Sequence, residues 1–317
     1  MKILVELPTW LGDAVMATPA LKNLYDTYPD AEITLLGSYV STEALKADPR
    51  VSRVLIDESR KGGFRALNIY RLAKEAKEHD LAVSFRGSFY SKMLLFLTGS
   101  KTKAAFDKKK IEAKAKETLH QVEKYQAFIN EVTKRDDLPG PLRLYHPKRS
   151  FDRPTMGINP GATYGSAKRW YPKKFAEVAA ELSKKFDIII FGGPAETDIA
   201  VDIESALSNM GVKNVTNMAG KTTIPQLCSL IGGLDLFITG DSGPMHIAAA
   251  YGVPTVAIFG PTKFKETSQW MNEKSVIVRK ELECAPCMKR TCPLKTHECM
   301  KSIEADEVIE AAENIFK

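Results

Sequence analysis

No stretch of this 317-residue chain is apolar for long enough to span a bilayer, which excludes a membrane-spanning helix. No secretory leader is expected either. Met1–Leu7 carries Glu6 and runs into Pro8, so it reads as a first strand, and the chain is expected in the cytoplasm. The turn after that strand has no GxGxxG pattern and is therefore a poor dinucleotide site. There is no repeat of short fixed period and no low-complexity tract. Cysteine is scarce: of five, four crowd into residues 284–299. No recognised nucleic-acid motif is present, and no nucleic-acid partner is expected.

What is there belongs to a globular protein. The composition, 44% hydrophobic and 26% charged, suits a packed core with a solvated surface, and the length suits about two domains. The net charge of +6 is modest but uneven. Between Lys101 and Lys116 stand seven lysines (101, 103, 108, 109, 110, 114 and 116) against Asp107 and Glu112. Such a run is most often a solvated face. Its functional reading is attraction to an anionic membrane surface or a phosphorylated substrate.

Apolar runs alternate with helical patterns along the chain. In the amino half, strands are expected at Ile3–Leu7, Glu32–Leu36, Val51–Ile56 and Leu81–Phe85. Helices are expected from about Asp13 to Tyr28, from Phe64 to His79 and near Tyr90–Leu97. Residues 137–155, DLPGPLRLYHPKRSFDRPT, break the pattern with proline and charge and read as a linker. Alternation then resumes: strands Met156–Asn159, Asp187–Phe191, Leu236–Thr239 and Thr255–Phe259, and helices Pro172–Lys185, Glu196–Met210, Ile224–Gly232, Pro244–Tyr251 and Ala305–Phe316. This predicts an α/β protein of two doubly wound, Rossmann-like domains, residues 1–150 and 151–317, facing a central cleft.

The most informative segment is Leu236–Gly260, LFITGDSGPMHIAAAYGVPTVAIFG, a strand, a glycine-bearing turn, a helix and a strand. Asp241 and Ser242 are placed to cap the helix, Gly243 admits close backbone approach, and Pro244 suits a first helical position. His246 follows one turn in. An anion there would meet free N–H groups and the positive end of the helix dipole, although an ordinary capped turn has the same local pattern. Two further strand ends offer matching groups. NPGATYGSAKRW, residues 159–170, brings small residues, Thr163 and the cations Lys168 and Arg169. GGPAE places Glu196 at a helix start, as a helix stabiliser or an acceptor for ribose hydroxyls. Together these favour a nucleoside-diphosphate site. In the amino half, TWLGD ends on Asp13, which is either a helix cap or a general base.

These segments resemble the bacterial ADP-heptose:lipopolysaccharide heptosyltransferases of glycosyltransferase family 9, most of all the branch adding the second inner-core heptose. The resemblance rests on LPTWLGDAVMATPAL (7–21), NPGATYGSAKRWYPKKF (159–175), GGPAET (192–197), NMAGKTT (217–223) and GDSGPMHIAAAYGVPTVAIFGPT (240–262). It implies a GT-B fold with an amino-terminal acceptor domain and a carboxyl-terminal donor domain. Asp13 is then the base, and Asp241, Ser242, Gly243 and His246 hold the pyrophosphate. Lys168 contacts the donor phosphates, Glu196 the ribose and Thr222 the adenine. RGSFYSKMLLF resembles the acceptor segment and offers Arg86 and Ser88, while the following KTKAAFDKKK departs from the family's arginine–glycine pattern. The implied partners are ADP-heptose and a lipid A–core acceptor at the inner face of the inner membrane, and the implied reaction is an inverting transfer without a cofactor. Two other classes fit parts of the chain: a GT-B nucleotide-sugar 2-epimerase, which shares the architecture, and a non-catalytic zinc-bearing module that uses the lysines on nucleic acid.

The cysteines Cys284, Cys287, Cys292 and Cys299, with His297 nearby, suggest a structural zinc more readily than disulfides in a cytosolic protein. The spacing is not that of a zinc ribbon, and plain loop packing is the alternative. Cys228 reads as a small buried residue.

Overall fold

The computed structural model describes residues 1–316. The chain divides into two compact units, Met1–Tyr145 and His146 onward. Each is a parallel sheet covered by helices on both faces.

In the first unit the elements run β1 (Lys2–Glu6), α1 (Leu11–Met16), α2 (Thr18–Thr27), β2 (Glu32–Gly37), α3 (Tyr39–Leu45), β3 (Val51–Ile56), α4 (Arg65–Ala76), β4 (Leu81–Ser84), α5 (Phe89–Leu97), β5 (Thr102–Ala105), α6 (Lys108–Lys114) and α7 (Gln121–Thr133). The sheet order is β3-β2-β1-β4-β5, so β1 pairs with β2 on one side (Ile3 with Ile33) and β4 on the other (Ile3 with Leu81). Ile3, Leu4 and Val5 are fully buried, as expected for a central parallel strand covered on both faces. Ile69, Leu72, Ala73 and Ala76 recur at helical spacing along α4 and pack with Leu94 and Leu95 of α5 on Leu4, Leu36 and Ala82.

One expected helix is two. The segment predicted from Asp13 to Tyr28 breaks at Ala17, because Pro19 has no N–H to give the carbonyl of Val15. The Thr18 hydroxyl donates to that carbonyl instead, at 2.7 Å. The lysine-rich segment carries β5 and α6 and keeps all seven of its lysines exposed. Helix α7 escaped prediction because its buried face includes Lys124 and Gln126, which blur the apolar period. Lys124 is 1% exposed and pairs with Glu112 at 2.8 Å.

The second unit runs β6 (Thr155–Asn159), α8 (Pro172–Leu182), β7 (Asp187–Ile190), α9 (Thr197–Asn209), β8 (Val215–Asn217), α10 (Ile224–Gly232), β9 (Leu236–Gly240), α11 (Gly243–Tyr251), β10 (Thr255–Phe259), α12 (Phe264–Thr267), β11 (Ser275–Arg279), α13 (Glu298–Lys301) and α14 (Ala305–Asn314). Its strands are ordered β11-β10-β9-β6-β7-β8. Strands β8 and β11 were not foreseen: both are half-exposed edges, and β8 has only three residues. Met156, Ile158, Ile188, Ile190, Ile238 and Ile258 of the strands meet Phe175, Val178, Ile203 and Val308 of the helices in one core. Each such side chain contributes about 1.5–3 kcal/mol by leaving water.

Candidate active site

Strand order reverses between β6 and β9 in the second unit, and at such a point the loops after the two neighbouring strands part and leave a crevice at the carboxyl edge. The loop after β9 leads directly into α11. Ser242 occupies the cap position, but among the described residues no side chain caps this helix. The Ser242 Oγ lies 3.1 Å from Thr239 Oγ1 and accepts from Asn159 Nδ2 at 3.2 Å. Asp241 is turned away as well. Its carboxylate is 2.6 Å from Lys168 Nζ and accepts from the Thr262 hydroxyl at 2.6 Å. The expected caps are thus corrected: a cation and a hydroxyl from other loops outcompete the helix end for Asp241. The first N–H groups of α11 consequently lack a side-chain acceptor, which is the condition for binding an anion.

The other predicted donor residues stand on loops at this same edge. Lys168 follows β6, with its ammonium over the Tyr164 ring at 4.7 Å, and it reaches the edge already paired with Asp241. Thr163 is exposed in the same loop. His246 is 3% exposed, inside the first turns of α11. Glu196, after β7, accepts from the Gly193 N–H at 2.8 Å and so stabilises a short 3-10 turn. A Cβ at Gly161 would come within 2.2 Å of the Glu196 carboxylate oxygens, so any larger residue there would displace that carboxylate. Thr222 lies half-buried between β8 and α10, in a loop tied to that of Glu196 by a Gly220 N–H to Gly192 carbonyl bond of 2.9 Å.

In the first unit the order reverses between β1 and β4. Asp13, in the first turn of α1, accepts from the Tyr125 hydroxyl at 3.4 Å. Burial first, and the Asp13 charge second, push the Tyr125 phenol well above its ordinary range, so it remains a donor. Arg86 follows β4. Its Nε donates to the Leu7 carbonyl at 2.7 Å, and one terminal nitrogen meets Glu6 at 3.2 Å and Asp57 at 2.8 Å. Ser84 and Ser91 donate to the same Glu6 carboxylate. Ser88 caps α5 by accepting from the Ser91 N–H at 3.1 Å. Arg86, Ser88, Arg60, Arg65, Asp57 and Tyr90 wall a cavity of about 120 Å³.

The acids holding Arg86 titrate in opposite senses. Burial pushes the Glu6 carboxyl above its ordinary 4.5, against the pull of Arg86 and the serine hydroxyls. Burial also opposes ionisation of Asp57, but hydrogen bonds from Ser59 and Arg86 outweigh it and leave the carboxyl below its ordinary 3.8. The raised acid adds stability at low pH that is lost as pH climbs through its folded value. The lowered acid adds stability at higher pH that is lost as pH falls through its folded value. In urea unfolding, the midpoint of Glu6→Gln relative to wild type should therefore rise as pH increases above 4.5. That of Asp57→Asn should rise as pH drops below 3.8. Differences that do not change with pH would contradict this network.

Cys284, Cys287, Cys292 and Cys299 are all free thiols and line one cavity of about 20 Å³. The Cys292 Sγ accepts from the His297 N–H at 3.4 Å, and backbone donors of this turn hold its thiol below the usual range. Burial pushes Cys299 up to about 11 and Cys228 up to about 12. Both His297 ring nitrogens are engaged, Nε2 by the Ala167 carbonyl at 2.9 Å and Nδ1 by the Tyr171 hydroxyl at 3.2 Å. Among the described residues, no three His, Cys, Asp or Glu side chains stand together as a metal site.

Sequence reasoning missed Glu6, Asp57, Tyr125 and Thr262. Only Glu6 left a signal, as a carboxylate closing an otherwise apolar strand.

A family model, Glycosyltransferase family 9 (heptosyltransferase), matches residues 69–298. The chain is 45% identical to lipooligosaccharide heptosyltransferase 2 of Campylobacter jejuni subsp. jejuni serotype O:2 over 325 aligned positions, covering 100% of this chain and 99% of that protein. It is 28% identical to lipopolysaccharide heptosyltransferase 2 of Escherichia coli K12, over 83% of each. The solved E. coli ADP-heptose LPS heptosyltransferase II superposes with a TM-score of 0.79 at 24% identity, covering 99% of this chain and 98% of that one. E. coli heptosyltransferase WaaC with ADP superposes with a TM-score of 0.79 at 15% identity, over 99% and 100%.

Proposed function

Because this chain belongs to glycosyltransferase family 9, the heptosyltransferases, and serves lipopolysaccharide or lipooligosaccharide core synthesis, we propose the following reaction for it. It moves L-glycero-D-manno-heptose from ADP-heptose to the first heptose of the inner core, in a single displacement that inverts the anomeric carbon. As a transferase of this family it leaves the epimerase and non-catalytic readings behind.

The observation that carries the proposal is the uncapped amino end of α11, with Lys168 and Asp241 beside it at the sheet's reversal point. The α- and β-phosphates of the donor sit on those N–H groups, with Lys168 and His246 alongside and the Ser242 and Thr163 hydroxyls as further donors. Glu196 takes the ribose hydroxyls and Thr222 borders the adenine. An acceptor hydroxyl attacks the anomeric carbon, and its proton goes to the Asp13 carboxylate. The bond from the anomeric carbon to the β-phosphate oxygen breaks, and its electron pair leaves with ADP. The helix dipole and Lys168 stabilise the charge that develops there. Arg86 and Ser88 serve the acceptor side. The solved heptosyltransferase WaaC with ADP supports the choice of nucleotide.

The test is incubation of the protein with ADP-heptose and a core acceptor truncated after its first heptose. ADP release with a mass gain of one heptose and an inverted linkage by NMR is the expected result. Hydrolysis or epimerisation without transfer would sink the proposal.

A further inference from the structure

Three phenylalanines on one helical layer of the first unit point into solvent: Phe64, Phe89 and Phe96 are 75%, 74% and 75% exposed. They are neighbours through their helices. Phe64 immediately precedes α4 and Phe89 begins α5, helices that pack together on one face of the sheet. The two helix starts are joined by the Arg65 guanidinium, 3.8 Å from the Tyr90 ring centroid, and that ring in turn meets its neighbour Phe89 edge-on. Leu67 and Tyr70, 45% and 46% exposed, extend the apolar strip along α4.

Cations interleave with the rings. Helices α4 and α5 carry Arg65, Arg71, Lys74 and Lys92 against a single acid, Glu75, which faces Arg53 at 3.9 Å. Arg71, Lys74 and Lys92 are exposed, and among the described residues none of them forms an ion pair. Aromatic and aliphatic side chains alternating with unneutralised cations suit the boundary between acyl chains and acidic headgroups. The lysine-rich segment 101–116 is a weaker match. Lys101 pairs with Asp80, Lys108 with Glu112, and Lys110 and Lys114 with Glu131, so much of its charge is spent within the unit.

The layer also adjoins the Arg86 cavity, because Arg65 and Tyr90 belong both to its helices and to the cavity wall. Resting on the function proposed above, whose acceptor is a lipid-anchored core, we infer that the outer face of α4 and α5 docks on an anionic bilayer. Docked there, it keeps the Arg86 cavity beside the headgroups from which the acceptor projects.

The experiment is co-sedimentation of the full chain with phosphatidylcholine vesicles and with vesicles containing one third phosphatidylglycerol, at low and high salt. Binding to the anionic vesicles that weakens with salt is expected, with at least a tenfold loss in Phe64→Ser/Phe89→Ser/Phe96→Ser. A similar loss is expected in Arg71→Glu/Lys74→Glu/Lys92→Glu. All six side chains are exposed, so both variants should keep the wild-type melting temperature and full transfer to a deacylated, soluble acceptor. That soluble assay separates the two proposals: if wild type fails it, the function is wrong whatever the vesicles show. Equal binding to both vesicle types, no binding to either, or unchanged binding by the variants would overturn the docking surface. So would a dimer in solution that the phenylalanine variant disperses, because the strip would then be covered by a second copy.

Discussion

Asp13→Asn should lose heptose transfer by a factor on the order of 10²–10⁴ while binding ADP as wild type does. The amide has the size of the carboxylate and still accepts from Tyr125, whose hydroxyl lies 3.4 Å away. What it loses is the capacity to take a proton. Asp13 sits half-buried in the first turn of α1, where a negative charge favours the helix by up to about 2 kcal/mol, so the fold should survive. The residues proposed to hold the donor all lie in the second unit, so ADP binding should be retained. The checks are steady-state transfer and ADP titration by calorimetry. Turnover within a few-fold of wild type would remove Asp13 from the mechanism, and lost ADP binding would make its role structural.

Lys168→Ala should damage stability and donor use together. Side chains of Lys168 and Asp241 are 13% and 7% exposed and lie 2.6 Å apart. Removing one member of a buried pair leaves the other charged without its counterion, at a cost of about 3–5 kcal/mol. Among the described residues, the Asp241 carboxylate would then keep only the Thr262 hydroxyl. The same change strips the pyrophosphate seat of its cation, so the KM for ADP-heptose should rise and kcat fall. A second variant separates the effects. Lys168→Met with Asp241→Asn removes both charges and should recover much of the stability in urea without recovering transfer. If transfer returns with stability, Lys168 is only a structural partner of Asp241.

Much of the fold was legible because a buried parallel strand has no polar face to blur it. Ile224–Gly232 and Thr255–Phe259 lie where the apolar runs and their punctuation place them. Elements failed to show wherever tertiary partners replaced the local rule. Helix α7 buries Lys124 against Glu112, and β11 is a half-exposed edge. Helix α1 ends early because Pro19 withholds one donor. Site residues followed the same division. Loops after β6, β7 and β9 announce themselves by glycine after an apolar run, but nothing local says that Ser242 will turn to Thr239 and Asn159 instead of capping α11.

By itself the sequence determined the alternation of strand and helix, the glycine turns that follow the strands, and the residue types gathered there. These are consequences of near-neighbour sterics and apolar spacing. Only the tertiary structure decided which charges remain available to a ligand. Lys168 and Asp241 stand 73 positions apart and Glu6 and Arg86 stand 80 apart, yet each pair meets in space. The amino end of α11 is left open because its expected caps are held elsewhere. Charge compensation depends on distance in space, which spacing along the chain does not encode. The anion seat proposed after β9 is left open by what its neighbours take away from it.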